Sequence, residues 1–565
     1  MNEPFHTRRR AHHLVGLALA AASLASLLLS AKTLGYARDE GFYFVAARSY
    51  QRWFDVLFQE PGRAVTKPTI DRYWSYNSEH PAVMKTLFGF SNRIFTKKLG
   101  WLSPSTSFRL PGMLTAALCV YLIYLWGATV FGARAGFFAA AAFALLPRPF
   151  YHAHLACFDM PMTAFWLLVT YLYWRSLASW RLGLAAGVAF GFALGVKLNA
   201  AFMPLVLGFH YACLVAHRCL NRTGAGAPWP KPWAFLFGLV VAPPIFIGHW
   251  PWLWHDTLAR LKEYVGFHST HSHYNTAWFG ENIIGAPTPL ALPTVMTLLT
   301  IPTVVIALTL AGSLLRLRHH LPRFVERRLA DACPPRGPVS TNGLDLLLLL
   351  TLVFPIALIS LPDIPKFGGT KHWMPAFPAM AILAGAAASR LSDLAASLFS
   401  RFPAKAVGAF TVAFLLLAPL QQTITSHPFG LCSYVPLVGG APGAASLGMT
   451  RQFWGYTTAG VLPWLNEHVP RGGTVFFHDT VAPSVEMFRE EGALRRDIRS
   501  TDVRRSSFAL LHHELHMIRN EAWIWNDYGT IVPAHVLTYQ GVPIVSVYER
   551  PSGDGRPRPE MRGDE

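Results

Sequence analysis

Carboxylates, lysines and histidines collect at the ends of apolar runs in this 565-residue chain. Asp39 and Glu40 follow the first run, and Glu79 and His80 stand in the polar segment after it. His152, His154 and Asp159 lie between two later runs, Lys197 ends another, and His249 ends a further one, with His268, His271 and His273 behind it. Lys366, Lys371 and His372 join a late pair of runs. Ionisable groups near membrane depth are costly and usually mark a site or a pathway. A carboxylate can take a proton from a hydroxyl nucleophile. Lysine or arginine can hold a phosphate as it leaves, and a phosphate departs as an anion without a strong general acid. This set of groups suits transfer from a lipid phosphate whose tail stays in the bilayer.

Plainer readings stand beside these. Asp39 fits a helix cap, Asp159 with Pro161 fits a helix start, and Lys197 fits a snorkelling lysine. Arg109 reads as an anchor of a helix end to lipid, and Trp250, Trp252 and Trp254 as an interfacial aromatic belt. His268, His271 and His273 form a loose His-x-x-His-x-His. With Glu79, His268 and His271 make a weak candidate for a divalent metal, and lining of a polar sugar pocket is the alternative. Cys157 and Cys432 both fall on the outer side of the predicted topology and are a candidate pair. The Gly-rich stretch Val438 to Ala444 lacks the Lys-Ser/Thr ending of a P-loop.

The elements that must position these groups are membrane spans. The chain is 52% hydrophobic and 14% charged, against about 25% charged in soluble domains, and its mean hydropathy is +0.30. Disorder, collagen-like repeats and a disulfide scaffold are excluded, since the six cysteines form no framework. Apolar runs long enough to be spans occur at about 15–35, 107–131, 135–150, 160–178, 182–198, 200–217, 233–250, 288–315, 343–361, 373–390 and 405–424. The first reads as an uncleaved anchor behind Arg8, Arg9 and Arg10. Residues 424–565 hold 13 Arg, no Lys and 15 acidic residues, which leaves a net +20 on 1–423. That excess suits anionic headgroups or an anionic substrate better than nucleic acid. Arg316, Arg318, Arg323, Arg327, Arg328 and Arg336 place the 316–336 loop in the cytoplasm with the N-terminus. Segments 37–106, 251–287, 362–372 and 424–565 then face outward, and every chemical residue above falls on that one face. Phe42, Val45, Ala46, Trp53 and Phe54 predict an amphipathic helix on the membrane surface, and a second helix runs from about Val83 to Leu99. The tail reads as α/β, with strands at 474–477 and 543–548 and a frayed end at 551–565.

The chain resembles the GT-C membrane glycosyltransferases of glycosyltransferase family 39, which include protein O-mannosyltransferases and lipid A aminoarabinose transferases. Tyr36-Ala37-Arg38-Asp39-Glu40-Gly41-Phe42-Tyr43 looks like the family's acidic pair opening the first outer loop. Glu79-His80-Pro81-Ala82-Val83-Met84-Lys85 is similar to its His-Pro-Pro segment, with Ala82 in place of the second Pro. Phe108-Arg109-Leu110-Pro111-Gly112 resembles its Arg-x-Pro, Leu155 to Pro161 its Asp-x-Pro, and Gly195-Val196-Lys197 its Gly-x-Lys. Pro365 to Pro378 resembles its late basic loop. The resemblance spans roughly 15 to 378. It implies a polyprenyl-phosphate-linked sugar donor and an inverting single displacement. By position Asp39 is then the base or orients the acceptor hydroxyl, with Asp159 and Glu79 shaping the acceptor and sugar pocket. Lys197 grips the donor phosphate, helped by Lys85, Lys366 or Lys371. Glu40, His80, His249, His268, His271 and His372 are pocket candidates.

The expected architecture is a polytopic α-helical membrane protein of GT-C type with about 11 transmembrane helices in 1–423 and a C-terminal α/β domain in 424–565. The expected activity is transfer of one sugar to a protein, lipid or glycan acceptor outside the cytoplasm of a bacterial inner membrane. Beyond the lipid-linked donor, a divalent metal is the one candidate cofactor, and nucleic acid is not an expected partner. A transporter or flippase of a lipid-linked sugar, and a non-catalytic scaffold, are the competing classes.

Overall fold

The computed structural model describes residues 5–220, 229–273, 276–317, 343–366 and 369–551. Residues 318–336 of the basic loop and 552–565 of the tail lie outside the described residues. The protein is a polytopic helical membrane protein, with helices at all eleven predicted places. Five are long and apolar enough to cross a bilayer: Arg10–Thr33, Pro104–Phe131, Leu198–Leu220, Met374–Leu398 and Ala404–Ser426. Two more places hold bent pairs, Pro147–His154 with Asp159–Ser176 at 106° and Leu292–Thr300 with Thr303–Leu317 at 118°. The other four, Ala133–Ala144, Trp180–Leu194, Trp233–Gly248 and Leu344–Ser360, are shorter. Even the 17-residue Leu344–Ser360 rises only about 25 Å, against a hydrocarbon core of about 30 Å. By length and composition alone, five to seven of these places qualify as spans among the described residues, and the other four hold shorter apolar helices.

Small residues let these helices approach closely. A Cβ added to Gly127 would stand 2.9 Å from the Gly136 Cα, so Pro104–Phe131 and Ala133–Ala144 touch backbone to backbone. The alanine-rich helix Phe377–Leu398 is almost wholly buried over its first half.

The predicted surface helix is Arg38–Gln59, but its apolar stripe packs on protein. Tyr43, Ala46, Ala47, Tyr50 and Trp53 are buried, while Phe42 and Val45 lie at the exposed limit. Trp53 and Tyr50 meet Trp74 at ring distances of 5.2 and 4.1 Å. Trp250 and Trp252 are buried in this same aromatic cluster with Tyr264, which overturns their reading as a lipid-facing belt; only Trp254 is exposed. The second predicted helix is Val83–Ser91, continued by a wider turn over Asn92–Lys98.

Arg109 does not anchor a helix to lipid. It is fully buried on Pro104–Phe131 and forks onto Glu40, with Nε to Oε1 at 2.8 Å and Nη2 to Oε2 at 2.9 Å. Its other N–H groups go to the carbonyls of Ala31, Leu34 and Gly35. Glu40 also accepts from the amides of Ala37 and Ala156, both at 3.0 Å. All five guanidinium donors and both carboxylate oxygens are thereby used.

Beyond the helices, a hairpin of β1 (Thr276–Trp278) and β2 (Glu281–Ile283) precedes a mixed five-stranded sheet. The sheet comprises β3 (Thr474–Phe476), β4 (Arg499–Ser500), β5 (Phe508–His512), β6 (His535–Tyr539) and β7 (Val542–Glu549) in the order β4-β3-β5-β7-β6. β3 runs parallel to β4 and β5, and β7 antiparallel to β5 and β6. This region docks on the helices through Glu491, which accepts from Tyr36 Oη at 2.6 Å and from the Ser105 amide at 2.7 Å. One apolar core runs continuously from Leu27 to Val547. Cys157 and Cys432 are separate buried thiols, and Cys432 contacts the Tyr456 hydroxyl.

Replacing Arg109 by Met strands a buried carboxylate and should destabilise by about 3–5 kcal/mol, read as a lower melting temperature in detergent. Adding Glu40→Gln to Arg109→Met should raise the melting temperature again, because an amide keeps an acceptor without the charge. An unchanged melt for the single variant would show that the clamp does not hold the fold.

Candidate functional site

Asp39 and Glu40 occupy the first turn of Arg38–Gln59, where a helix N-terminus favours negative charge. Successive helical side chains diverge by about 100°, so the two acids part company. Glu40 enters the clamp with Arg109 and is structural. Asp39 turns to the other side, keeps 30% of its side chain exposed, and faces Lys371 at 3.5 Å. The Lys371 ammonium also stands 3.7 Å from the Trp454 ring centre, a cation–π contact.

A second ion pair lies alongside. Lys197 Nζ donates to Asp159 Oδ1 at 2.8 Å, with 15% and 6% of the side chains exposed. Asp159 opens the helix Asp159–Ser176 after the bend, and Lys197 follows the end of Trp180–Leu194. Each charge therefore sits at the helix end whose dipole favours it. The buried Tyr43 hydroxyl feels Asp39, Asp159 and Glu79 together, and burial with these negative charges pushes its pKa well up. Lys371 and Lys197 both act on the buried ring of His80, which burial and neighbouring positive charge keep neutral.

Glu79 is partly buried and accepts from the Asn77 side chain at 2.6 Å. His268 spends Nε2 on the Glu79 backbone carbonyl at 2.9 Å, not on its carboxylate. His271 meets the carbonyl of Ser272. Among the described residues no group of three His, Cys, Asp or Glu could hold a metal ion, so the His268, His271 and Glu79 candidate is not assembled. The fold diverts three other predicted groups from this centre. Lys85 is fully buried and donates to Asn77 O, Asn77 Oδ1 and His80 O at 2.5, 3.2 and 2.8 Å. It staples the 77–80 turn; burial pushes its pKa down to about 7. Lys366 is buried and donates to Leu361 O at 2.9 Å. His249 bonds Ile245 O at 2.6 Å and packs against Gly195, supporting the turn that carries Lys197. His372 is partly buried beside Lys371.

The fold also brings in groups that single-residue reasoning undervalued. Trp454 adopts φ +82°, a strained region for a bulky residue. The Arg38 amide donates to its carbonyl at 2.9 Å, and Arg38 pairs with buried Asp479. Arg148 and His152, one helical turn apart, are both buried. Arg148 reaches Ser433 O at 3.4 Å and the Tyr434 ring at 5.1 Å. The His152 ring lies 5.7 Å from Trp454 and feels Asp159, Lys371, Arg148 and Lys197. The i, i+4 spacing of Arg148 and His152 was the available signal in the sequence.

Lys85→Met should remove three hydrogen bonds from the 77–80 turn, at a cost of about 1–3 kcal/mol. Hydrogen exchange at residues 77–80 should then quicken in the variant while binding of a polyprenyl phosphate stays unchanged. Slow exchange together with weakened lipid binding would return Lys85 to the phosphate.

The stretch 79–252 matches the family model described as dolichyl-phosphate-mannose-protein mannosyltransferase. No curated protein sequence matches the chain. Among solved structures, the chain is similar to ArnT from Cupriavidus metallidurans bound to undecaprenyl phosphate, at 15% identity and a TM-score of 0.44, covering 94% of this chain and 97% of that one. It is also similar to the apo oligosaccharyltransferase of Archaeoglobus fulgidus, at 13% identity and a TM-score of 0.47, covering 92% and 72%. The family match covers residues 79–252, which contain Glu79, Asp159 and Lys197.

Proposed function

We propose that the protein moves a single sugar from a polyprenyl-phosphate donor to an acceptor hydroxyl by an inverting displacement at the extracytoplasmic face of a bacterial inner membrane. The carrying observation is the pairing of a partly exposed carboxylate, Asp39, with Lys371, beside the buried Asp159–Lys197 pair. Asp39 takes the acceptor proton as the hydroxyl oxygen attacks the anomeric carbon. The carbon–oxygen bond to phosphate breaks on the opposite side, and the phosphate leaves with the bonding electrons. Lys197 and Lys371 lower the cost of that charge, and each already neutralises a carboxylate before substrate enters. Asp159 holds Lys197, and Glu79 and His80 border the acceptor side. The positive-inside pattern of the sequence supports the extracytoplasmic side for this face.

These charges stand at helix ends and in connecting segments, which favours surface chemistry over a path through the bilayer. Purified full-length protein with labelled polyprenyl-phosphate sugars and an envelope extract tests the reading. Asp39→Asn should lower the transfer rate by about 10²–10⁴-fold, and Lys197→Ala should weaken donor use, with both variants still folded. Undiminished transfer by a folded Asp39→Asn protein would remove Asp39 from the reaction.

A further inference from the structure

Among the described residues, two aromatic side chains stand on a left-handed backbone, Phe279 at φ +45° and Trp454 at φ +82°. Phe279 is exposed and Trp454 is buried. Glycine and asparagine suit that backbone, and a large side chain is disfavoured there. Every other buried apolar side chain of the core that runs from Leu27 to Val547 has negative φ, so burial by itself does not call for this conformation. Strain of this kind persists only where the surroundings over-determine it. Here the Arg38 amide donates to the Trp454 carbonyl at 2.9 Å. Gly455 follows at φ +70°, and a Cβ added to it would stand 1.9 Å from the Asp479 carbonyl oxygen. The Arg38 side chain pairs with Asp479. On the other side of Trp454 in the chain, Phe453 packs on Gly369, where an added Cβ would lie 3.6 Å from the Phe453 ring.

These contacts register Trp454 against both partners of the more exposed ion pair. Arg38 is the residue before Asp39, and Gly369 opens the turn Gly369–His372 that carries Lys371. The indole held by both meets the Lys371 ammonium 3.7 Å from its ring centre, while Lys371 faces Asp39 at 3.5 Å. An ammonium is drawn to an aromatic face within about 6 Å, and to indole most strongly. The type of partner matters for the reaction. A carboxylate in that place would neutralise Lys371 and compete for its charge with Asp39 and with a phosphate. An indole carries no formal charge and takes no proton, so it directs the ammonium and leaves its positive charge to act.

We propose that Trp454 is a positioning residue for sugar transfer, whose indole holds the Lys371 ammonium beside Asp39 for the departing phosphate. The proposal rests on the glycosyltransferase reading, because that reading gives Lys371 its work on the phosphate. The assay is transfer by the full-length protein in detergent, with labelled polyprenyl-phosphate sugars and an envelope extract. Trp454→Leu keeps apolar bulk and the same backbone strain but has no ring face. It should lower kcat by about tenfold, the loss of one desolvated cation–π contact. The half-saturating concentration of extract should stay within about twofold, because the ammonium acts on charge that develops in the transition state. Trp454→Phe keeps a ring face and should hold kcat within about threefold of wild type. In a Lys371→Gln background, where Lys197 still faces the phosphate, Trp454→Leu should change the rate by less than about twofold, because the indole acts through the ammonium. Melting temperatures identify the folded variants, and Trp454→Met, equally without a ring face, replaces Trp454→Leu if that variant does not fold. Unchanged kcat in folded Trp454→Leu, equal losses in Trp454→Leu and Trp454→Phe, or the same loss with and without Lys371 would each overturn the proposal while leaving the glycosyltransferase reading in place. Wild-type protein that transfers from none of the donors would sink that reading, and the proposal with it.

Discussion

Glu40 and Arg109 are taken out of water together, and the arrangement around them holds the two halves of the reaction centre in place. Desolvating both charges is expensive, and it is tolerated only where every donor and acceptor is met. Here the guanidinium closes on Glu40 and the carbonyls of Ala31, Leu34 and Gly35, while Glu40 takes the amides of Ala37 and Ala156. The residues so joined are the exit of the first helix, the start of Arg38–Gln59, the helix Pro104–Phe131 and the bend after Pro147–His154. Asp39 is the neighbour of Glu40, and Asp159 stands three residues after Ala156. A single buried pair thus fixes the origin of both carboxylates that face lysine.

From that anchor the remaining parts follow by short connections. The bend between Pro147–His154 and Asp159–Ser176 creates a helix N-terminus under Asp159. The end of Trp180–Leu194 delivers Lys197 to meet it, braced by His249 against Gly195 and by the Val83 amide on the Gly195 carbonyl. The sheet region closes the centre from the other side. Glu491 ties it to Tyr36 and Ser105, and the Arg38 amide holds the strained Trp454 backbone. The indole so placed gives Lys371 an aromatic face beside Asp39.

Much of this was legible in the chain before folding. Asp39, Asp159, Lys197 and Lys371 were visible because charge beside apolar runs is rare and costly, and one topology put them on one face. The strands at 474–477 and 543–548 and the helices at the eleven apolar places follow from local pattern. Arg109 was misread because a cation at a helix end fits lipid contact equally well in sequence, and its partner is 69 residues away. Trp250 and Trp252 were misread for a similar reason: an indole near a span end suits the membrane interface and a protein core alike.

The sequence by itself determined the solvent, the helical periodicity and the set of groups available for chemistry, since these depend on composition and near-neighbour spacing. Tertiary structure decided which member of each local set does what. It separated Asp39 from Glu40, because adjacent helical residues point to different surroundings. It set Lys85 and Lys366 on backbone carbonyls of nearby turns, contacts that a charge pattern does not reveal. A site depends on distances across the fold, and those are set by packing and by the few buried charges that must find a partner.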